Sequence, residues 1–177
     1  MKFSFVFPGQ GSQSVGMLGG LYDAIPEVRD AFTEASDALG YDLWQLCQDG
    51  PEEDLNQTDR TQPALLAAGV AVWRGWLAKG GQVPAFMAGH SLGEYTALTC
   101  AGSLSLGQAV KLVEKRGRLM QKAVPAGSGK MAAIIGLDDD AIAKACMEVA
   151  AGAVVSPVNY NSPGQVVIAG EAEAVER

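Results

Sequence analysis

The chain has 177 residues, 48% of them hydrophobic and 19% charged, which suits one compact domain, or one with a small appendage, and excludes disorder as the main state. The formal net charge is −7, so a nucleic-acid partner is not expected. His90 is the only histidine and the three cysteines, Cys47, Cys100 and Cys146, are widely spaced, so no metal site is expected and the thiols read as reduced ones in a cytoplasmic protein.

In chain order, Phe3 to Phe7 reads as a buried strand that Pro8-Gly9 stops. This short run, which Pro8 interrupts, does not read as a signal peptide. A glycine-rich loop follows, Gly9-Gln10-Gly11-Ser12-Gln13. Val28, Phe32, Ala35 and Leu39 recur at helical spacing, and Gly40 closes that helix. Thr61 and Pro63 are expected to open a long Ala-rich helix that stops at Gly80-Gly81. Its apolar stretch, interrupted by Arg74, is too short to span a membrane. Val83 to Ala88 reads as a second strand, and helical texture resumes through Glu94 to Cys100.

Ser105-Leu106-Gly107-Gln108 has the form of a capping box, opening a helix to about Val124 that Pro125 ends. The order strand, helices, strand, helix predicts an α/β layer with parallel strands over residues 1–124. Ala126-Gly127-Ser128-Gly129 reads as a linker. Beyond it come a strand over Met131–Leu137, a helix capped by Asp138 through Val149, and a strand over Val154–Tyr160. A turn at Asn161-Ser162-Pro163-Gly164, a strand over Gln165–Ala169 and a helix from Glu171 complete the chain. Residues 125–177 thus read as β-α-β-β-α, one strand short of a ferredoxin-like unit. The natural protein is therefore expected to be longer.

Gly89-His90-Ser91-Leu92-Gly93 matches G-x-S-x-G between a predicted strand and a predicted helix. A serine on so tight a turn has strained backbone angles, and the flanking glycines remove side chains that would collide. The Leu92 N–H, at the helix start, would face a developing oxyanion. His90 is adjacent to Ser91, and neighbours on such a turn point apart, so His90 reads as a packed support residue and the base is expected elsewhere. The Gly9 loop fails as a dinucleotide fingerprint because Ser14 stands where the third glycine belongs.

On the Ser105–Val124 helix, Leu106, Ala109, Val110, Val113, Gly117, Met120 and Val124 form an apolar stripe. Lys111, Lys115, Arg118 and Lys122 lie on the opposite side, a solvated face or a docking patch for an acidic partner. Arg116 falls beside the stripe and should be partly buried. A buried guanidinium needs an acidic partner, from the protein as a structural ion pair or from a ligand.

The motifs Phe7–Gln13, Gly89–Tyr95, Arg116-Gly117 and Asn159–Gln165, in that order, resemble the bacterial malonyl-CoA:acyl carrier protein transacylases of type II fatty acid synthesis. The resemblance runs from about residue 3 to the end. It implies a hydrolase-like α/β core with a ferredoxin-like subdomain. It implies that Ser91 carries the malonyl group as an ester, that the backbone N–H groups of Gln10 and Leu92 form the oxyanion hole, and that Arg116 binds the malonyl carboxylate. Malonyl-CoA would be the substrate and acyl carrier protein the partner, its phosphopantetheine thiol collecting the acyl group, with no cofactor bound by the chain itself and no nucleic-acid or membrane partner. The family's catalytic histidine lies further downstream and has no counterpart here, so this piece alone is not expected to work at full rate. A serine hydrolase of the lipase or patatin type, a polyketide synthase acyltransferase domain and an inactive fragment that only binds a partner remain as rival readings.

Overall fold

The computed structural model describes residues 2–124 and 127–177. The expected helix stop at Pro125 and the first linker residue, Ala126, lie outside the described residues. The chain divides into two compact units, one running to Met120 and the other from Gln121 to Arg177. The division falls near the end of one long helix.

In the first unit, β1 (Ser4–Phe7) and β2 (Phe86–Gly89) pair in parallel, as the element order predicts. Among the described residues, one face of the pair is packed. Phe5 packs edge-on against Trp73, with ring centroids 5.4 Å apart, and Phe7 is buried. Val6 and Phe86 on the other face are 76% and 71% exposed. The expectation of a buried strand therefore holds for alternate residues, because side chains of a strand point to opposite faces and one of these is packed among the described residues.

The covering helix is α5 (Thr58–Ala78). It is preceded by α1 (Gly19–Ala24), α2 (Pro26–Leu39), α3 (Leu43–Asp49) and α4 (Glu52–Leu55). Gly40 closes α2 at φ 78, as its position predicts. Asp42 caps α3 by accepting from the Gln45 N–H at 2.8 Å. With 6, 7 and 4 residues, α1, α3 and α4 are too short to show a periodic pattern, and their packing is the main thing that holds them. Tyr22 and Trp44 stack at 3.7 Å across two of them.

Helix α5 begins three residues before Thr61, so Pro63 lies inside it rather than at its start. The first turn survives because the Arg60 and Thr61 N–H groups both bond the Gln57 carbonyl, and the Thr61 hydroxyl bonds Leu55 O at 2.5 Å. Its alanines and glycines let neighbours approach closely. Ala64, Leu66, Ala67, Val70 and Ala71 form the core with Val28, Phe32 and Ala35 of α2. Leu92 of α6 (Leu92–Cys100) and Leu106, Ala109, Val110 and Val113 of α7 (Leu106–Ala123) complete it. Ser105 and Gln108 make the capping box, with the Gln108 N–H on Ser105 Oγ at 3.3 Å. The apolar stripe of α7 is buried as far as Gly117, but Met120 and Val124 are exposed.

The second unit follows the expected β-α-β-β-α order. It comprises β3 (Gly129–Ile135), α8 (Asp139–Ala150), β4 (Val155–Ser162), β5 (Gln165–Glu171) and α9 (Ala172–Glu176). The strands form an antiparallel sheet in the order β3-β5-β4. Ile142 and Cys146 of α8 close over Val155, Val166 and Ile168. Strand β3 starts and stops two residues earlier than the apolar run suggests, since Gly136 turns the chain at φ 89 and bonds the Gly164 carbonyl. Gly129, read as linker, is its first residue. Strand β4 runs on through Asn161 and Ser162, leaving a tight turn at Pro163-Gly164. Pro157 is tolerated because β4 is an edge strand with a register shift just after it.

Candidate active site

Strands β1 and β2 end level, with Phe7 opposite Gly89. The loops that leave them emerge side by side at the C-terminal edge of the parallel pair, where sites form in open α/β sheets. The second loop is one tight turn. Ser91 stands between β2 and α6 at φ 54 and ψ −110, outside the regions that side chains favour, a strain of about 1–3 kcal/mol. Two glycines make the turn possible. A Cβ on Gly89 would collide with the Gly93 carbonyl, and one on Gly93 with the Phe7 carbonyl oxygen. The Gly93 N–H closes the turn on the His90 carbonyl at 2.9 Å.

The first loop is held in turn by its own motif. Ser12 Oγ donates to Gly9 O at 3.0 Å, the Gly11 N–H donates to Gln13 Oε1 at 2.8 Å, and Gln13 Nε2 reaches Asn56 Oδ1 at 2.7 Å. The Gln10 side chain donates to Thr58 Oγ1 at 3.3 Å. Gly9 is pressed against the elbow: a Cβ there would lie 3.1 Å from the His90 carbonyl oxygen. The segments that carry Gln10 and Leu92 thus meet beside Ser91. Leu92 opens α6, so its N–H has no intrahelical acceptor.

The Ser91 hydroxyl does not bond His90. It accepts from Arg116 Nη2 at 2.9 Å. Arg116 is half-buried, as its place on the helix predicts, and its guanidinium lies 5.6 Å from the centre of the Tyr95 ring. Its other terminal nitrogen donates to Gln62 Oε1 at 2.8 Å. Among the described residues no Asp or Glu pairs with Arg116. The nearby acids serve other cations: Glu114 bonds Arg118 at 2.8 Å and faces Arg60 at 3.9 Å, and Asp59 faces Arg118 at 3.6 Å. Arg118 is thereby partly neutralised within the expected basic face.

Sequence reasoning missed Gln62, which is fully buried on α5. The signal was there: one amide between Thr61 and Pro63 at the head of an otherwise apolar helix. It also left the glycine of the Arg116-Gly117 pair without a reason. A Cβ on Gly117 would sit 2.6 Å from Asp59 Cα and 2.7 Å from the Thr58 carbonyl oxygen. Gly117 lets α7 lie directly on the first turn of α5, which brings Arg116 within reach of Gln62. Cys47 and Cys100 are not competing nucleophiles: burial pushes both thiols up to about 12. The fourth sequence motif, Asn159–Gln165, builds the β4–β5 hairpin of the second unit.

A strained serine between a parallel strand and a helix is the shape shared by serine enzymes that handle acyl groups. The chain belongs to the acyl transferase domain family, which it matches over residues 4–177. It is 66% identical over 176 residues to the malonyl CoA-acyl carrier protein transacylases of Salmonella typhimurium and Escherichia coli, covering 99% of this chain and 57% of theirs. The chain thus spans just over half the length of these curated relatives. Among solved structures it is similar to an acyl carrier protein S-malonyltransferase from Vibrio cholerae, at 67% identity and a TM-score of 0.95 over 99% of this chain and 57% of that one. It is equally similar to a malonyl-transacylase held in complex with its type II polyketide acyl carrier protein, at 65% identity and a TM-score of 0.96, with the same coverage.

Proposed function

We propose that the full-length protein transfers a malonyl group from malonyl-CoA to the phosphopantetheine thiol of acyl carrier protein, in fatty acid biosynthesis. Ser91 Oγ attacks the thioester carbonyl, the hydroxyl proton passes to a base, and coenzyme A leaves as its thiol. The malonyl group then rests as an ester on Ser91. The carrier's thiol attacks that ester, and Ser91 regains its proton as the acyl group departs. The N–H groups of Gln10 and Leu92 stabilise the oxyanion in both steps. No cofactor bound by the chain takes part. The base is expected from the part of the protein beyond these residues, where the resembling family has its histidine.

One observation carries this reading. A guanidinium with no carboxylate partner among the described residues lies on the serine hydroxyl, and it suits an acyl group that ends in a carboxylate. The names of the similar proteins favour transfer to a carrier over hydrolysis. The fold beneath the reading is a hydrolase-like core over residues 1–124 and a ferredoxin-like unit over 125–177. The level strand ends of β1 and β2 and the strand order β3-β5-β4 support it. Among the described residues no helix is long and apolar enough to cross a membrane, and the buried free thiols fit a cytoplasmic setting.

The test is intact-mass analysis of the full-length protein after incubation with malonyl-CoA, with and without carrier protein. A malonyl adduct is expected that carrier protein removes and that Ser91→Ala lacks. Release of free malonate without transfer would replace this reading by hydrolysis. The 177-residue chain alone should load far more slowly, since base assistance contributes roughly 10²–10⁴-fold.

A further inference from the structure

We infer that Gln62 is a positioning residue that sets acyl selectivity: it aims Arg116 at the Ser91 site while leaving its charge uncancelled. The inference rests on the malonyl-transfer reading above.

Gln62 has no exposed surface, so both ends of its amide must be satisfied by the protein. Its Nε2 donates to the Met120 thioether at 3.3 Å and its Oε1 accepts from Arg116 Nη1 at 2.8 Å. A thioether sulfur only accepts and a guanidinium only donates, so the amide has one sensible orientation. Its carbonyl therefore faces the cation. This bond ties one arm of the planar fork and points the other at Ser91 Oγ, 2.9 Å from Nη2.

The chemistry of the anchor matters as much as its position. A buried guanidinium is most simply satisfied by a carboxylate, and Glu would fit where Gln62 stands. That carboxylate would also cancel the charge. With an amide in its place, the guanidinium is hydrogen-bonded but carries its full positive charge. Among the described residues no acid shares it, and Glu114 and Asp59 are turned to Arg118. An anionic acyl group would then supply the missing counter-charge, and a neutral acyl group would not. Ser91 alone cannot make this distinction, because both thioesters present it the same carbonyl.

The test uses the full-length protein and measures kcat/KM for malonyl-CoA and acetyl-CoA in wild type, Gln62→Glu and Gln62→Met. Thermal melts and labelling of Ser91 by a neutral fluorophosphonate probe show that each variant keeps a folded site. Gln62→Glu adds an internal carboxylate at constant shape. It is expected to lower the malonyl-to-acetyl ratio on the order of 10–100-fold. Gln62→Met keeps the volume but removes the acceptor, and should lower the ratio less, roughly 3–10-fold, by loosening Arg116. A purely structural amide would lower both thioesters together. If wild type prefers malonyl and the ratio is unmoved in both variants, or both thioesters fall equally, the inference is overturned and the transfer reading stands. If wild type takes no malonyl group, the transfer reading falls and the inference falls with it. Should Gln62→Glu fail to fold, the ratio in Gln62→Met decides alone.

Discussion

Arg116 is the residue on which the substrate reading turns. Malonyl and acetyl thioesters differ by one carboxylate at the far end of a short chain. An acetyl group would leave the half-buried guanidinium facing the site with only Ser91 and Gln62 as partners. Leaving such a charge unpaired costs about 2–5 kcal/mol in comparable polar pairs, or discrimination of roughly 30- to 4,000-fold. In the full-length protein, Arg116→Ala should therefore lose malonyl kcat/KM by that factor and lose acetyl kcat/KM far less. Arg116→Lys should recover only part of the malonyl rate, since a point charge cannot bond Gln62 and a carboxylate together. An equal fall for both thioesters would make Arg116 a support of the fold.

At the scale of elements, the two glycines of α7 make opposite predictions. Gly117 sits where a Cβ would meet the Asp59 backbone at 2.6–2.7 Å, and backbone cannot yield as a flexible side chain does. Gly117→Ala should force α7 off the first turn of α5, with a loss of about 1–3 kcal/mol from overpacking. It should also move Arg116 relative to Gln62 and blunt malonyl selectivity. Gly107 lies near the start of the same helix, and a Cβ there would meet only the Ala38 Cβ at 3.5 Å, an ordinary contact. Gly107→Ala should be neutral or stabilising by up to about 1 kcal/mol, because it removes the backbone entropy glycine loses in a helix. Urea unfolding of the pair checks this, and a stabilised Gly117→Ala would mean that the two helices are not in tight contact.

At the scale of the whole molecule, the buried Cys47 thiol makes stability depend on alkaline pH. Cys47 is fully buried in the core between the helices, and burial pushes it from an ordinary 9.0 up to about 12. Below pH 9 the thiol is protonated in folded and unfolded chains alike, and stability does not depend on it. Between about 9 and 12 the unfolded chain gives up a proton that the folded chain keeps, so stability falls as pH rises, by at most about 1.4 kcal/mol per unit. Urea unfolding at pH 8 to 11 should show this decline. Cys47→Ala should start less stable, from the cavity, and decline less steeply. Parallel curves would show that the alkaline loss arises elsewhere.

The order of the strands and longer helices, the stop at Gly40, the capping box at Ser105 and the glycines around Ser91 were legible in the sequence, whereas the short helices α1, α3 and α4 were not. The placement of Arg116 off the apolar stripe of its helix was legible too. These are short-range properties: they depend on side-chain period and on turn chemistry within a few residues. Pro63 misled the start of α5, because its first turn is held by the Gln57 and Leu55 carbonyls upstream. What answers Arg116 was decided by tertiary structure alone. Its partner lies 54 positions away, on a helix whose sequence shows a buried amide but not what it faces. Sequence period sets which face of α7 is apolar, and only the packing of Gly117 on Thr58 and Asp59 determines which residue of α5 that face meets.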